Sequence, residues 1–337
     1  MASLQAATTG SSGYVKDLAF DVYGKRLAVV LSSLVPRVEV YDLGETGAWR
    51  AVSSWAAHEQ TINAVAWAHP RFGQILATCS DDSTVELWEE FGTGPGNLGA
   101  QSGPKWHKRC TLSDAKKPVK DCEFAPHHQG LKLAVASMDG RVYLYEALDV
   151  MNLADWTLDS YFDAFDAGSR APHAGSPGVR CLSWNPSRFD APMLVLGGEG
   201  DDDGRALVRV WTYAEANKQW LMSAELATHS HPDCGCQVND VAWAPNMGRS
   251  FHLIASAGQD QHEQLKVHRL LRTAEGVVPD GTMALATADQ PQGIWRAEWN
   301  ATGTVLATSG EEGVVRLWKS TFRGDFKEVK AVPTAAV

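Results

Sequence analysis

The chain is short of positive charge, of helix signals and of long apolar runs. Its 337 residues carry 30 Lys and Arg against 40 Asp and Glu, a formal net charge of −10. Proteins that neutralise nucleic-acid phosphates draw on the opposite balance, so no direct nucleic-acid partner is expected. The one basic run, Lys105 to Arg109 with Lys116 and Lys117 beyond, reads as a solvated loop edge. No apolar stretch approaches the ~18 residues of a membrane span, which excludes membrane insertion by a helix. The opening MASLQAATTGSSG has neither a basic n-region nor an apolar h-region, so no secretory leader is expected. Cysteine is sparse, and Cys79, Cys122 and Cys181 sit inside apolar strand-like runs, the pattern of reduced thiols in a cytosolic or nuclear protein. In that setting the sequon Asn300-Ala301-Thr302 reads as a turn. Only residues 147–158, ALDVMNLADWTL, suggest a turn or two of helix.

What the chain has is repetition. Related segments begin at Val15, Ile62, Val119, Val179, Val238 and Ile294, with successive starts 47 to 60 residues apart. That exceeds the ~40–45 residues of a minimal WD-type unit, so the loops are extended. In each unit a first strand closes on an aromatic residue: Phe20, Trp67, Phe124, Trp184, Trp243 or Trp299. A turn follows, bearing Pro70, Pro126, Pro186 or Pro245 in four copies, because proline cannot donate to a strand ladder. The second strand is a short continuous apolar run, which suits burial on both faces. The third alternates, as in Val85/Leu87 or Val315/Leu317, placing an apolar pair on one face. A fourth strand is announced by Trp49, Trp106, Trp156, Trp220 and Phe326. The fifth unit lacks that aromatic, and Met283 is the substitute within reach. Four such strands cannot bury both faces alone, so units must stack. Radial stacking of four-stranded sheets is a β-propeller. The expected architecture is all-β, a six-bladed WD-repeat propeller over residues 15–333, with a flexible N-terminus at 1–14 and a tail at 334–337.

The chemically suggestive clusters are better read as structure. His58, Thr78 or Ser80, Asp82 and Trp88 have the order of a WD-repeat hydrogen-bonding tetrad. The same residue types resemble a Ser-His-Asp set, but they lie within one repeat and no G-x-S-x-G elbow exists. Residues 229–236, HSHPDCGC, bring imidazole and thiol groups together without the spacing of structural zinc sites, and one histidine there is expected to fill the tetrad position ahead of unit five. Asp201-Asp202-Asp203-Gly204 opens like a calcium loop, yet Thr212 stands where a bidentate Glu is needed. The glycines at 92, 94, 96 and 99 open no helix and precede no Gly-Lys-Ser/Thr. Of thirteen tryptophans, eleven fall at strand ends as packing residues, leaving Trp55 and Trp295. No catalytic, cofactor or metal site is expected, and the chain is read as a non-enzyme.

The last unit owns its fourth strand, around 326–332, and the segment before Val15 is weakly β-forming. No strand is left over to clasp the ring, so the propeller is expected to be open between its first and last blades. Exposed edges there invite strand addition from a partner. The residues expected to meet it are Val15, Leu18, Phe20, Ile294 and Trp295.

Over 15–319 the chain resembles the Sec-thirteen-homologue (Seh-one) family of nucleoporins. The likeness is carried by WAHPRFGQILATCSDDSTVELWEE (67–90), GLKLAVASMDGRVYLYEALDVMNLADWTL (130–158), LSWNPS (182–187), DVAWAPNMGRSFHLIA (240–255) and WNATGTVLATSGEEGVVRLWKS (299–320). The DVMNL-x-x-W and APN-x-GRSFH segments favour this family over the related vesicle-coat propeller, Sec-thirteen. The resemblance implies a scaffold of the Y-shaped nuclear pore subcomplex, serving nucleocytoplasmic transport of protein and mRNA. It implies an α-solenoid nucleoporin partner of the eighty-five-kilodalton class that donates a blade, beside other Y-complex nucleoporins. It also implies a second place in the amino-acid-sensing complex of the TOR pathway at the lysosomal or vacuolar periphery. The competing readings are a vesicle-coat propeller and a ubiquitin-ligase substrate receptor. The latter usually shows Trp-Asp-x-Arg at a third-strand end, and no third strand here ends that way.

Overall fold

Each repeat folds into its own sheet. The computed structural model describes residues 14–91, 105–165, 177–200, 205–230, 236–258, 264–273, 276–285, 293–322 and 324–333. The expected N-terminal arm before Tyr14, the glycines at 92–99, the acidic tip at 201–204 and the tail at 334–337 lie outside them. The first blade comprises β1 (Tyr14–Phe20), β2 (Arg26–Ser32), β3 (Arg37–Leu43) and β4 (Trp49–Ala56). The second holds β5 (Ile62–Trp67), β6 (Ile75–Ser80), β7 (Val85–Phe91) and β8 (Lys105–Leu112). The third holds β9 (Val119–Phe124), β10 (Lys132–Ser137), β11 (Arg141–Ala147) and β12 (Trp156–Asp163). Next come β13 (Val179–Trp184), β14 (Met193–Gly200), β15 (Arg205–Ala214) and β16 (Gln219–Ser230). The fifth blade has β17 (Val238–Trp243), β18 (Phe251–Gly258), β19 (Leu265–Thr273) and β20 (Gly276–Leu285). The last has β21 (Ile294–Trp299), β22 (Val305–Gly310), β23 (Val314–Ser320) and β24 (Phe326–Pro333).

All six sheets are antiparallel and built from four consecutive strands in order. The chain is therefore all-β, a six-bladed WD-repeat propeller fold. It divides into two compact units, Met1–Asp139 with Tyr143–Tyr161, and Gly140–Val142 with Phe162–Val337. Within the first unit β5 lies between β1 and β9, and within the second β17 lies between β13 and β21.

The second strands are apolar because both faces are covered: every residue of β6 is buried. The third strands depart from the simple alternation read from sequence. Glu39, Glu86, Arg209 and Lys266, between the apolar pairs, are buried as well. A buried charge needs a partner. Glu39 accepts from Tyr41 Oη at 2.5 Å, Glu86 meets Lys108 at 2.8 Å and Arg209 meets Glu225 at 3.0 Å.

A second feature escaped the pattern. In all six blades the first strand slips register near its start, at the third residue of β1 (Lys16) and the second residue of the other five, Asn63, Lys120, Arg180, Asn239 and Trp295. A bulge re-aims the side chain it carries. Asn63 Nδ2 accordingly reaches the carbonyl of Val119 in the next blade at 2.7 Å, and Asn239 Nδ2 reaches that of Ile294 at 2.8 Å.

Between β11 and β12, residues 149–155 form two tight turns rather than a helix. Asp149 and Asn152 side chains accept from the amides of Met151 and Ala154, and such local bonds compete with helical ones. The basic run at 105–109 is strand β8, not loop. Lys108 and Arg109 are paired with Glu86 and Glu89 of β7 at 2.8 and 2.7 Å. Asn300 is turn-forming as expected: its Oδ1 accepts from the amides of Thr304 and Val305.

Candidate interaction surface

The tetrad of the second blade is assembled, and it selects Thr78 over Ser80. His58 Nδ1 lies 2.9 Å from Asp82 Oδ2, and its Nε2 lies 2.9 Å from Thr78 Oγ1, which also accepts from Trp88 Nε1 at 3.2 Å. Ser80 Oγ instead donates to the Gln60 carbonyl. Thr78 is fully buried and its oxygen is already held by His58 and Trp88, so the group offers no nucleophile to a substrate. Burial of Asp82 favours its neutral form, but bonds from Thr84 and the facing His58 outweigh this and hold its carboxyl below the usual 3.8.

The fifth blade builds the same device from other residues. His229 Nε2 lies 2.9 Å from Ser256 Oγ, which lies 2.8 Å from His268 Nε2, with His268 Nδ1 3.0 Å from Thr282 Oγ1. His229 is thus the expected tetrad histidine, and His268 stands where the other blades have Trp or Tyr. Cys236 is a core residue between the fourth and fifth blades, while His231 and Cys234 lie outside the described residues. Burial, with the charges of His229 and Lys266, pushes His268 down from 6.5 to about 3. The unfolded chain therefore binds a proton that the native state refuses. Stability is full above about pH 6.5 and falls as pH drops toward 3, at up to ~1.4 kcal/mol per pH unit. Urea midpoints measured from pH 7 to 4 are expected to fall for the native sequence and to flatten in His268→Phe. Asp82 acts in a separate window: its contribution is present above 3.8 and is lost only below it.

Neighbouring blades are joined by matched bonds. Asp17 Oδ2 accepts from the Val65 amide at 2.9 Å and Trp67 Nε1 donates to the Ala19 carbonyl at 3.0 Å. Asp240 with Ala297, at 2.8 Å, and Trp299 with Ala242, at 3.1 Å, repeat the arrangement. Arg26 adds a clamp between the first two blades, gripping Glu90 of the second. Arg249, in the APN-x-GRSFH motif, donates to the carbonyls of Gly303 at 2.8 Å and Pro245 at 2.7 Å. Gly303 has φ +63°, and a Cβ there would meet the Pro245 oxygen at 2.2 Å, so this contact requires glycine.

Against these covered faces the first strand of the first blade stands out. In β5, β9, β13, β17 and β21 buried residues recur, whereas none of β1 is buried. Val15, Leu18 and Phe20 are 54, 50 and 48% exposed. The last blade is less covered on one face: in β22 Leu306 and Thr308 are buried and the other residues half-buried, where β6 is wholly buried. Trp295 is 42% exposed, but Ile294 is 5% exposed and belongs to the core against the fifth blade. Ile294 is therefore unavailable to a partner without unpacking, because the bulge turns only Trp295 outward. Trp55 is a packing residue, 5.4 Å from Trp88 and 5.3 Å from Trp106.

The WD domain, G-beta repeat family matches residues 49–89 and 279–319. Nucleoporin SEH1 of Bos taurus is 39% identical over 319 residues, covering 93% of this chain and 83% of its own length. The Homo sapiens protein of the same name gives the same identity and coverage. The chain belongs to the nucleoporin SEH1 family. The Danio rerio member is 38% identical over 320 residues, covering 93% and 82% of the two chains. A solved structure titled "Crystal Structure of Mitotic Checkpoint Complex" matches with TM-score 0.60 at 16% identity, covering 91% of this chain and 75% of that one. That likeness bears on fold alone. An SEH1-family chain is a nucleoporin propeller of scaffold type, and the tetrads described above are part of that framework.

Proposed function

We propose that this chain is a non-catalytic scaffold of the nuclear pore complex at the nuclear envelope, and that it binds an α-solenoid nucleoporin through the uncovered apolar face of its first blade. The single observation that carries this reading is β1. It is the one first strand with no buried residue, and it presents Val15, Leu18 and Phe20 to solvent. Every sheet is completed by its own four strands, so none of the described strands is spare to cover it. An exposed apolar strand edge is a template for pairing with another chain. The family resemblance supports a partner of the eighty-five-kilodalton class within the Y-shaped subcomplex, and a role in transport of protein and mRNA. A second place in the amino-acid-sensing TOR-pathway complex rests on the same resemblance.

Affinity purification of the endogenous protein followed by mass spectrometry tests the reading. Recovery of an α-solenoid nucleoporin with other Y-complex members is expected. Recovery of vesicle-coat or ubiquitin-ligase subunits in their place would overturn it.

A further inference from the structure

In five blades a ring from the fourth strand packs on the ring that closes the first. Phe20 meets Trp49, Trp67 meets Trp106, Phe124 meets Trp156, Trp184 meets Trp220 and Trp299 meets Phe326, at centroid distances of 5.6 to 6.4 Å. The fourth-strand ring sits opposite a fixed third-strand position: Trp106 opposite Glu90, Trp220 opposite Tyr213, Phe326 opposite Ser320. In the fifth blade that position, opposite Leu270, is Pro279, which is exposed. Met283 does not replace the ring. It pairs with Val267 and packs toward the last blade, on the other face of the sheet. Trp243 instead meets His252 at 5.5 Å.

His252, which meets Trp243, and Val277, two residues before Pro279 on the same strand, both line open space beside that position. Between the fourth and fifth blades lies a groove of about 410 Å³, within the range of small-ligand and side-chain pockets. Buried Met193 and Val277 form its apolar base, while Phe189 and Leu221 are exposed at its mouth. Gly276, also in its wall, contributes no side chain. The polar side is built and occupied. Arg272 Nη2 donates to Asp190 at 3.0 Å and its Nε to His252 Nε2 at 3.1 Å, and Ser223 Oγ donates to Thr212 Oγ1 at 2.6 Å. Arg188 lies over the Phe189 ring at 4.9 Å, and among the described residues no carboxylate pairs with it. Arg272 in the wall and Arg188 over the exposed Phe189 ring thus outnumber Asp190, the one carboxylate of the lining, a local positive excess in a chain of net charge −10.

We propose that this groove is a second binding site, which takes a short acidic peptide segment by inserting one of its aromatic side chains where the fifth blade lacks its own. The ring would lie on Met193 and Val277 with Phe189 as a lid at the mouth, and flanking carboxylates would meet Arg188 and Arg272. The site is built by blades other than that of β1 and does not depend on the function proposed above.

The test uses the full chain and a fluorescein-labelled probe peptide, Gly-Ser-Glu-Trp-Asp-Glu-Ser-Gly, read by fluorescence polarisation. Two controls replace its Trp by Ala or its acidic residues by Lys. Either control is expected to bind at least about tenfold more weakly than the probe. Phe189→Ser, at an exposed position where folding is not at stake, is expected to weaken the probe at least about fivefold. With ¹³C-methyl-labelled methionine, the Met193 methyl signal is expected to shift on saturation. Equal binding of the Trp and Ala peptides would overturn the proposal, as would an unmoved Met193 signal or full affinity in Phe189→Ser. Dimerisation of the chain that is abolished by Phe189→Ser but not competed by the probe would assign the groove to a second copy, and would also overturn it.

Discussion

Arg26→Ala will cost about 3–5 kcal/mol of stability, the range for leaving one member of a buried ion pair alone. Arg26 extends from β2 of the first blade into the second. Its two terminal nitrogens grip Glu90 at 2.6 and 2.7 Å, while Nε donates to Asp42 at 2.9 Å and Nη1 also reaches Gln74 at 3.2 Å. The guanidinium lies 5.6 and 5.9 Å from the ring centres of Trp67 and Trp106. Only 1% of the Glu90 side chain is exposed, so alanine at 26 strands a carboxylate that water does not reach. Urea unfolding followed by tryptophan fluorescence measures the loss. The double variant Arg26→Met/Glu90→Leu is expected to recover most of it, since an apolar pair of similar volume needs no charge compensation. A loss under about 1 kcal/mol in the single variant would show that the clamp holds nothing.

Periodicity does not announce this clamp, although a trace of it was legible. At the register position of Arg26 the other blades place Ile75, Lys132, Met193, Leu253 and Val305. An arginine on a mostly apolar register signals a buried partner, but only the fold shows that the partner is Glu90, 64 residues on. The blades themselves were plain in the sequence, because aromatic strand ends and apolar runs are dictated by burial and recur in every copy. The tetrad histidine of the fifth blade was legible as well, within a cluster that also held His231 and Cys234. His268 was not read as its partner, since the pattern calls for Trp or Tyr there. The register slip at Lys16, Asn63, Lys120, Arg180, Asn239 and Trp295 was invisible, because a bulge of one residue leaves the apolar pattern on either side intact. Missing it made Ile294 look like an edge residue when only Trp295 turns outward.

Leu18→Asp or Phe20→Asp will abolish binding of the proposed α-solenoid partner while the blade stays folded. Both side chains are half exposed in the free chain, so a charge there stays hydrated; Leu18→Asp costs little until a partner covers it, while Phe20→Asp also gives up the packing of its ring on Trp49. On binding, the carboxylate must lose water against an apolar surface, a penalty of several kcal/mol per unpaired ion. Even about 4 kcal/mol lowers affinity roughly a thousandfold. Ile294→Asp is expected to behave differently: it buries a charge in the free protein and lowers stability itself. Pull-down with the purified partner, alongside thermal melts of each variant, separates the two effects. Full binding by a folded Leu18→Asp protein would remove β1 from the interface.

The most direct measurement is hydrogen–deuterium exchange of the full chain with and without the α-solenoid nucleoporin proposed as its partner. Amides of β1, Tyr14–Phe20, are expected to gain protection on binding, together with the segment around Trp295 in the last blade. Unchanged exchange across β1, with new protection confined to other blades, would contradict the assignment of that face to the partner.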